Sequence, residues 1–187
     1  KWSDSLAWYE KALSFDPNLI NALNGVSQSL LKLGQFDQAM IPLDKVFIVD
    51  FENVSAHFNK ANIFLAQSNF AEAILWYQKT VDLDFNFPEA HNNMGFALEQ
   101  SGQIIEAKKS YVKALELKPE YTDASYNLGL THVRLNELEK AIKTFRGAIE
   151  IEPSESRLYV GMASAVSDKE ESLTYLDQAL QFDQRNW

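Results

Sequence analysis

Asparagine recurs every 34 residues along part of the chain, at Asn59, Asn93 and Asn127. A primary amide both donates and accepts hydrogen bonds, and the backbone of an extended peptide offers one donor and one acceptor per residue. Amides that stand in line on one surface therefore match a peptide backbone without requiring a particular peptide sequence. The chemistry open to these residues is recognition of a polypeptide, provided that the fold places them side by side.

Residues that commonly carry catalysis or bind a metal form no recognisable site in this sequence. There is no glycine-rich phosphate loop, no nucleophile elbow and no His-Glu-x-x-His helix. The absence of cysteine removes thiolate nucleophiles and zinc–thiolate sites. His57 and His91 stand one repeat apart, which is roughly 10 Å between packed helices and too far for two ligands of one metal. We predict a protein that is not an enzyme and that uses no cofactor and no metal.

The composition is that of a folded chain with a negative charge. Of the 187 residues, 46% are hydrophobic, and 17 Lys and Arg stand against 26 Asp and Glu, for a net charge of −9. A negative chain repels the phosphate backbone of nucleic acids, and no stretch reaches the ~20 apolar residues that cross a bilayer. We therefore expect a soluble protein with no nucleic-acid partner and no membrane insertion. The compartment is left open, with the cytoplasm slightly favoured.

The elements that must position the asparagines repeat with the same period. Three further positions recur at that interval: alanine at Ala39, Ala73, Ala107 and Ala141; a large apolar residue at Tyr9, Leu43, Tyr77, Tyr111 and Phe145; and proline or phenylalanine at Pro17, Phe51, Phe85, Pro119 and Pro153. Within one repeat, Leu23, Val26 and Leu30 follow helical spacing. Each unit is predicted to be helix, turn, helix, turn, and stacking of units buries the apolar stripes that one helix pair cannot bury alone.

This pattern resembles the tetratricopeptide repeat family, whose 34-residue units are helix pairs. One unit carries the family pattern most fully, with Asn93, Gly95, Leu98, Gly102, Ala107, Tyr111, Ala114 and Pro119 in register. The resemblance implies an all-α, right-handed superhelical solenoid of stacked antiparallel helix pairs, forming one domain over residues 1–187. Its predicted parts are an orphan second helix at 3–15, repeats at about 20–53, 54–87, 88–121 and 122–155, and a shortened repeat at 156–184. Because the chain begins with a second helix, we also expect it to be a fragment of a larger protein.

First helices line the concave groove in this family, so the resemblance implies a groove rich in amides. The candidate peptide-binding residues are Asn24, Gln28, Phe58, Asn59, Asn62, Asn92, Asn93, Phe96, Tyr126, Asn127 and Arg134. The asparagine ladder is similar to that in the repeat domain of O-linked N-acetylglucosamine transferase, whose catalytic domain has no counterpart here. For the asparagines, the alternative is hydrogen bonding to their own helix or to water. For the aromatic residues, the alternative is packing between neighbouring first helices.

The expected function is a non-catalytic protein–protein interaction module that binds an extended peptide in its groove, as part of a scaffold or adaptor. Glu89 and Asp123 stand where the family's carboxylate clamp needs cations, so the peptide is not expected to be strongly acidic. The alternative function is self-assembly into a homo-oligomer through uncapped terminal helices, of which the first carries Trp2 and Trp8 and the last leads to Trp187.

Overall fold

The computed structural model describes residues 1–184, and over that range the chain consists of eleven α-helices without a β-strand. The helices are α1 (Trp2–Phe15), α2 (Ile20–Lys32), α3 (Phe36–Val49), α4 (Val54–Ala66), α5 (Phe70–Leu83), α6 (Pro88–Gln100), α7 (Ile104–Leu117), α8 (Thr122–Arg134), α9 (Leu138–Ile151), α10 (Ser156–Ala165) and α11 (Lys169–Gln184). We call the even-numbered helices first helices and the odd-numbered ones second helices. Over the same range, no helix is both long and apolar enough to cross a bilayer. Trp187, part of the predicted terminal interface, lies outside the described residues.

The chain divides into two compact units, Lys1–Ser101 with α1–α6 and a second unit that begins at Gly102 and contains α7–α11. In the first unit, neighbouring helices pack in chain order around the apolar stripes of the repeat, with Leu23, Leu43 and Ile63 almost fully buried. Small residues set the distance between helices. The ring of Tyr9 on α1 occupies the space beside Gly25, where a β-carbon would lie 2.4 Å from the ring.

The turns inside the repeats share one backbone conformation. Gly34, Ser68, Gly102 and Asn136 stand one repeat length apart and all have positive φ, between 57° and 83°. After three of these turns, an N–H bonds to the carbonyl five residues back, as in Gln35 N to Leu30 O at 2.9 Å. Glycine adopts this conformation without steric cost, whereas a non-glycine residue loses roughly 1–2 kcal/mol there. The repeat period therefore fixes where the chain reverses, even where the residue is not glycine.

The second unit is built around the ring of Phe145 on α9. Phe145 is fully buried, and β-carbons at Gly129 on α8 and Gly161 on α10 would each lie 2.4 Å from its ring. Two glycines on neighbouring first helices thus make the space for one aromatic side chain. The final helix pair differs from the others because α10 has 10 residues where the other first helices have 13, and it ends at Val166 in extended conformation.

Candidate peptide-binding face

Amide side chains on α2 and α4 hydrogen-bond to one another across the two helices. Asn59 Nδ2 lies 3.4 Å from both the backbone oxygen and the Oδ1 of Asn24. Asn24 Nδ2 in turn donates to Asn53 Oδ1 at 3.2 Å. Asn53 is the N-cap of α4, and its Oδ1 also accepts the backbone N–H of Ala56 at 3.0 Å. The cap of one helix is therefore joined to the surface of the preceding first helix.

A second set of amide contacts joins α4 to α6. Asn93 Nδ2 donates to Asn62 Oδ1 at 3.0 Å, and the same oxygen accepts a hydrogen bond from the Tyr77 hydroxyl on α5. Asn92 Nδ2 donates to Asn93 Oδ1 at 3.2 Å. Within the first unit, the three first helices α2, α4 and α6 are thus linked by asparagine side chains.

The exposure of these amides decides which of them can meet a ligand. Asn59 is 7% exposed and Asn92 is 5% exposed, so both side chains are buried and offer a ligand little surface. Asn24, Asn62 and Asn93 are half-buried. Two further candidates reach solvent, namely Gln28, one turn after the asparagine on α2, and Phe96 on α6. We call the residues Asn24, Gln28, Asn62, Asn93 and Phe96 the amide face.

The aromatic candidates are divided between packing and exposure. The ring centroid of Phe58 lies 4.6 Å from that of Phe87 and 5.9 Å from that of Tyr77, and its side chain is half-buried. Phe96 is 39% exposed. Phe58 therefore packs against α5 and against the residue directly before α6, while Phe96 offers apolar surface to solvent.

In the second unit the candidates lie on α8. Tyr126 is half-buried, with its ring centroid 6.3 Å from that of Phe145 and 5.3 Å from the guanidinium of Arg157. Asn127 is half-buried and accepts a hydrogen bond from the Thr131 hydroxyl at its backbone oxygen. Arg134 is exposed at the end of the helix.

Arg157 joins α10 to α8 through Asp123, and it also binds Glu155, the residue directly before α10. Its guanidinium lies 2.9 Å from Asp123 Oδ1 and 2.8 Å from Glu155 Oε1. Hydrogen bonding to Glu155 and then to Asp123 raises the pKa of the Arg157 guanidinium, and hydrogen bonding to Arg157 lowers the pKa of the Glu155 carboxyl. The cation is thus held between its acidic neighbours beside Tyr126.

Sequence reasoning missed Asn53 and Tyr77 as members of the amide network. The position of Asn53 directly before a helix was the available signal, because asparagine is a preferred N-cap. The two candidate histidines each contact a backbone oxygen, His57 at that of Asn53 and His91 at that of Phe85. Among the described residues, no group of three or more His, Asp or Glu could hold a metal ion.

Paired helices, a shared turn conformation in the repeats and a polar face on the first helices define a helical-repeat protein of the kind that contacts other proteins. Comparison with family models specifies the repeat. A model described as TPR repeat matches residues 61–102, and one described as tetratricopeptide repeat matches residues 98–164. The chain belongs to the tetratricopeptide repeat family.

Several solved structures share the fold of this chain. MamA is 27% identical, with a TM-score of 0.77 over 86% of this chain and 96% of that chain. PilF of Pseudomonas aeruginosa is 23% identical, with a TM-score of 0.80 over 87% and 76%. YrrB, described as a TPR protein with an unusual peptide-binding site, is 18% identical, with a TM-score of 0.74 over 94% and 92%. No match was found among curated protein sequences. The family supports a protein–protein interaction module, and this fold is typically a non-catalytic scaffold.

Proposed function

We propose that this interaction module binds an extended peptide segment along its first helices, with no catalytic role. The observation that supports the proposal most is the amide face of the first unit, where half-buried amides on α2, α4 and α6 stand beside the exposed side chains of Gln28 and Phe96. Asn24, Asn62 and Asn93 each make two hydrogen bonds through the side-chain amide, of the four that a primary amide can make, so each keeps further hydrogen-bonding positions for a ligand. Cross-helix bonds such as Asn93 to Asn62 orient these positions before a peptide arrives.

The proposed peptide is neutral or basic. The first unit contains 6 Lys and Arg and 12 Asp and Glu, so it repels an acidic segment. Phe96 supplies apolar contact area beside the amides. In the second unit, Tyr126, Asn127 and Arg134 are the corresponding proposed contacts. YrrB shares the fold of this chain, and at 18% identity the likeness extends to the fold alone.

The experiment compares peptides that differ only in their backbone. An extended synthetic peptide, neutral or basic, is titrated by isothermal calorimetry together with a scrambled version and a version that is N-methylated at alternate residues. Because amides recognise backbone donors and acceptors, scrambling should leave the affinity almost unchanged and N-methylation should abolish binding. Equal binding of the N-methylated peptide would contradict backbone recognition.

Paired variants locate the binding face. Gln28→Ala combined with Phe96→Ala removes two exposed side chains of the amide face and should lower the affinity about tenfold. The matched control is Gln38→Ala with Ile48→Ala, which removes an exposed amide and an exposed apolar side chain from the second helix α3. Both double variants should keep the free energy of unfolding within about 0.5 kcal/mol of wild type per exposed site. Equal loss of affinity in the control would place binding elsewhere.

A second candidate function is self-assembly through α1, and the exposure of that helix favours it. No residue of α1 is buried, Trp8 is 70% exposed and Phe15 is 82% exposed. Apolar surface of this kind often marks an interface. Sedimentation equilibrium should then show association that Trp8→Lys with Phe15→Lys abolishes. A monomer at every concentration of the wild-type protein rules this function out.

A further inference from the structure

The second unit contains an open cleft on the side of its second helices. The cleft has a volume of about 500 Å³ and lies between α7 and α9, above α8. Its floor is apolar, with Leu115, Leu128 and Ala148, and Lys140 and Lys143 stand at its rim. Gly147 opens one wall, because a β-carbon there would meet no atom within 4 Å. The candidate residues of the first-helix face, Tyr126, Asn127 and Arg134, do not line it.

The corresponding space in the first unit is filled by aromatic side chains. Between α3 and α5, above α4, the rings of Phe47, His57 and Trp76 pack with centroid distances of 4.9–5.8 Å. Two ammonium groups lie over the indole of Trp76, Lys60 Nζ at 4.3 Å and Lys79 Nζ at 4.0 Å from its centroid. Such cation–π contacts are attractive, and more so where water is excluded. An indole that lies against two ammonium groups and two aromatic rings is therefore a stable filling for this part of the repeat.

Two repeat lengths further on, the filling residues are replaced by smaller ones. Trp76 corresponds to Thr144, and Lys79 corresponds to Gly147. His57 and Phe47 correspond in the same way to Ser125 and Leu115. The volume that an indole and a lysine occupy in the first unit is therefore empty in the second. A glycine inside a helix costs about 1 kcal/mol relative to alanine, and at position 147 no neighbouring atom requires it.

The residues at the rim of the cleft are basic, whereas the residues two repeat lengths earlier in the chain are acidic or apolar. Where the first unit has Glu72 and Leu75, the second has Lys140 and Lys143. An adjoining depression of about 410 Å³ shares Lys140 with the cleft and is also lined by Lys108, Lys109 and Glu116. Lys108 and Lys140 both form ion pairs with Glu137. These cations lie together in a chain of net charge −9. Two of them, Lys109 and Lys143, make no ion pair within the described part of the chain.

We propose that this second-helix cleft binds an acidic segment of a partner protein that inserts an aromatic side chain between α7 and α9. The emptied indole position supplies the pocket, and the lysines of the rim supply the charge that favours Asp and Glu beside the inserted ring. The cleft lies on the other side of α8 from the proposed first-helix contacts. It also has the opposite charge preference, so the two sites take different segments.

The probe is a fluorescein-labelled synthetic peptide in which one tryptophan stands among aspartates and glutamates, measured by fluorescence anisotropy. Two further peptides separate the contributions, one with alanine in place of the tryptophan and one with amides in place of the carboxylates. The wild-type protein should bind the first peptide and should bind both others at least about tenfold more weakly. Because the Debye length is about 10 Å at 0.1 M salt, added salt should weaken the binding of the acidic peptide.

Variants that fill the cleft test its location without threatening the fold. Thr144→Trp copies the residue of the first unit, and Gly147→Leu adds a side chain where no atom stands within 4 Å. Each should lower the affinity about tenfold or more, with no fall in the melting temperature for Gly147→Leu because leucine favours helix over glycine. For charge, Lys143→Glu at the rim should weaken binding, whereas Arg146→Glu, an equal change on α9 outside the lining, should not.

Several results would overturn the proposal. These are no binding of the acidic tryptophan peptide by the wild-type protein, undiminished binding by Gly147→Leu, and equal effects of Lys143→Glu and Arg146→Glu. Self-association of the wild-type protein that Gly147→Leu abolishes would assign the cleft to a second copy of the chain instead. The Gln28→Ala with Phe96→Ala variant should bind this peptide as wild type does, so loss of one site is distinguishable from loss of the other.

Discussion

At the scale of single residues, glycines in the second unit have opposite roles. Gly129 is required by packing, because a β-carbon there would lie 2.4 Å from the Phe145 ring, whereas Gly147 faces open space. Both are in helices, where alanine is preferred to glycine by about 1 kcal/mol. The surroundings of each glycine therefore decide whether its replacement by alanine raises or lowers the free energy of unfolding.

Gly129→Ala should lower the free energy of unfolding by about 1–3 kcal/mol, because the added methyl group forces the fully buried Phe145 ring to move. Gly147→Ala should raise it by about 0.5–1 kcal/mol, because the helix gains propensity and nothing is displaced. Urea unfolding of both variants, monitored by circular dichroism, measures the difference. If Gly129→Ala were as stable as wild type, the close packing of the ring against α8 would be wrong.

The lowered pKa of the Glu137 carboxyl predicts that the stability of the fold depends on pH. Its pKa is lowered to about 2, mainly by the hydrogen bond with His132 and then by those with Lys140 and Lys108. A depressed pKa in the folded state stabilises the fold above the ordinary value of about 4.5, and that contribution is lost as pH falls toward 2. Wild type should therefore be more stable than Glu137→Gln at neutral pH.

The advantage of wild type over Glu137→Gln should shrink progressively between pH 4.5 and 2, which urea unfolding at several pH values would show. Glu139→Gln, an exposed neighbour on α9, is the matched control. A difference between wild type and Glu137→Gln that stays constant over this range would exclude the carboxylate as its source.

At the scale of helices, the space between successive second helices is filled in one unit and open in the other. Trp76→Thr introduces into the first unit the residue that the second unit has, and it removes the indole over which the ammonium groups of Lys60 and Lys79 lie. We expect a loss of roughly 1–2 kcal/mol, because the half-buried indole loses its packing and its cation–π contacts. Thermal unfolding tests this prediction.

The control for that prediction is Trp8→Thr on α1. Trp8 is 70% exposed, so its removal at low protein concentration should change the stability by no more than about 0.5 kcal/mol. Equal effects of the two tryptophan substitutions would mean that the aromatic cluster between α3 and α5 does not stabilise the first unit.

The regular repeat period made the all-helical fold predictable, because apolar spacing and chain reversals recur in phase. The period includes a glycine, a residue typical of turns, at Gly34. It could not show that Ser68 adopts the same left-handed conformation, since that is imposed by the packing of the two helices it joins. The sequence could not show which side chains hydrogen-bond to each other either. Asn59 was predicted as a ligand contact, yet the choice of Asn24 as its partner depends on the distance between α2 and α4.

At the scale of the whole molecule, charge separates two proposed kinds of partner. The chain has a net charge of −9, and six of its 17 cationic side chains lie on the two helices α7 and α9. A neutral or basic peptide suits the amide face of the first unit, and an acidic segment suits the second-helix cleft of the second unit. The negative net charge led us not to expect a nucleic-acid partner. It gave no sign of the basic cleft, because a net charge does not show where along the chain the lysines and arginines lie.

The proposed peptide binding is tested most directly by nuclear magnetic resonance of the side-chain amide groups. A neutral, extended synthetic peptide is added to ¹⁵N-labelled protein, and the NH₂ signals of asparagine and glutamine are followed. We predict that the signals of Asn24, Gln28, Asn62 and Asn93 shift together and saturate, while that of Gln38 on α3 stays in place. Shifts confined to the second helices, or unchanged signals at a saturating peptide concentration, would contradict binding at the amide face.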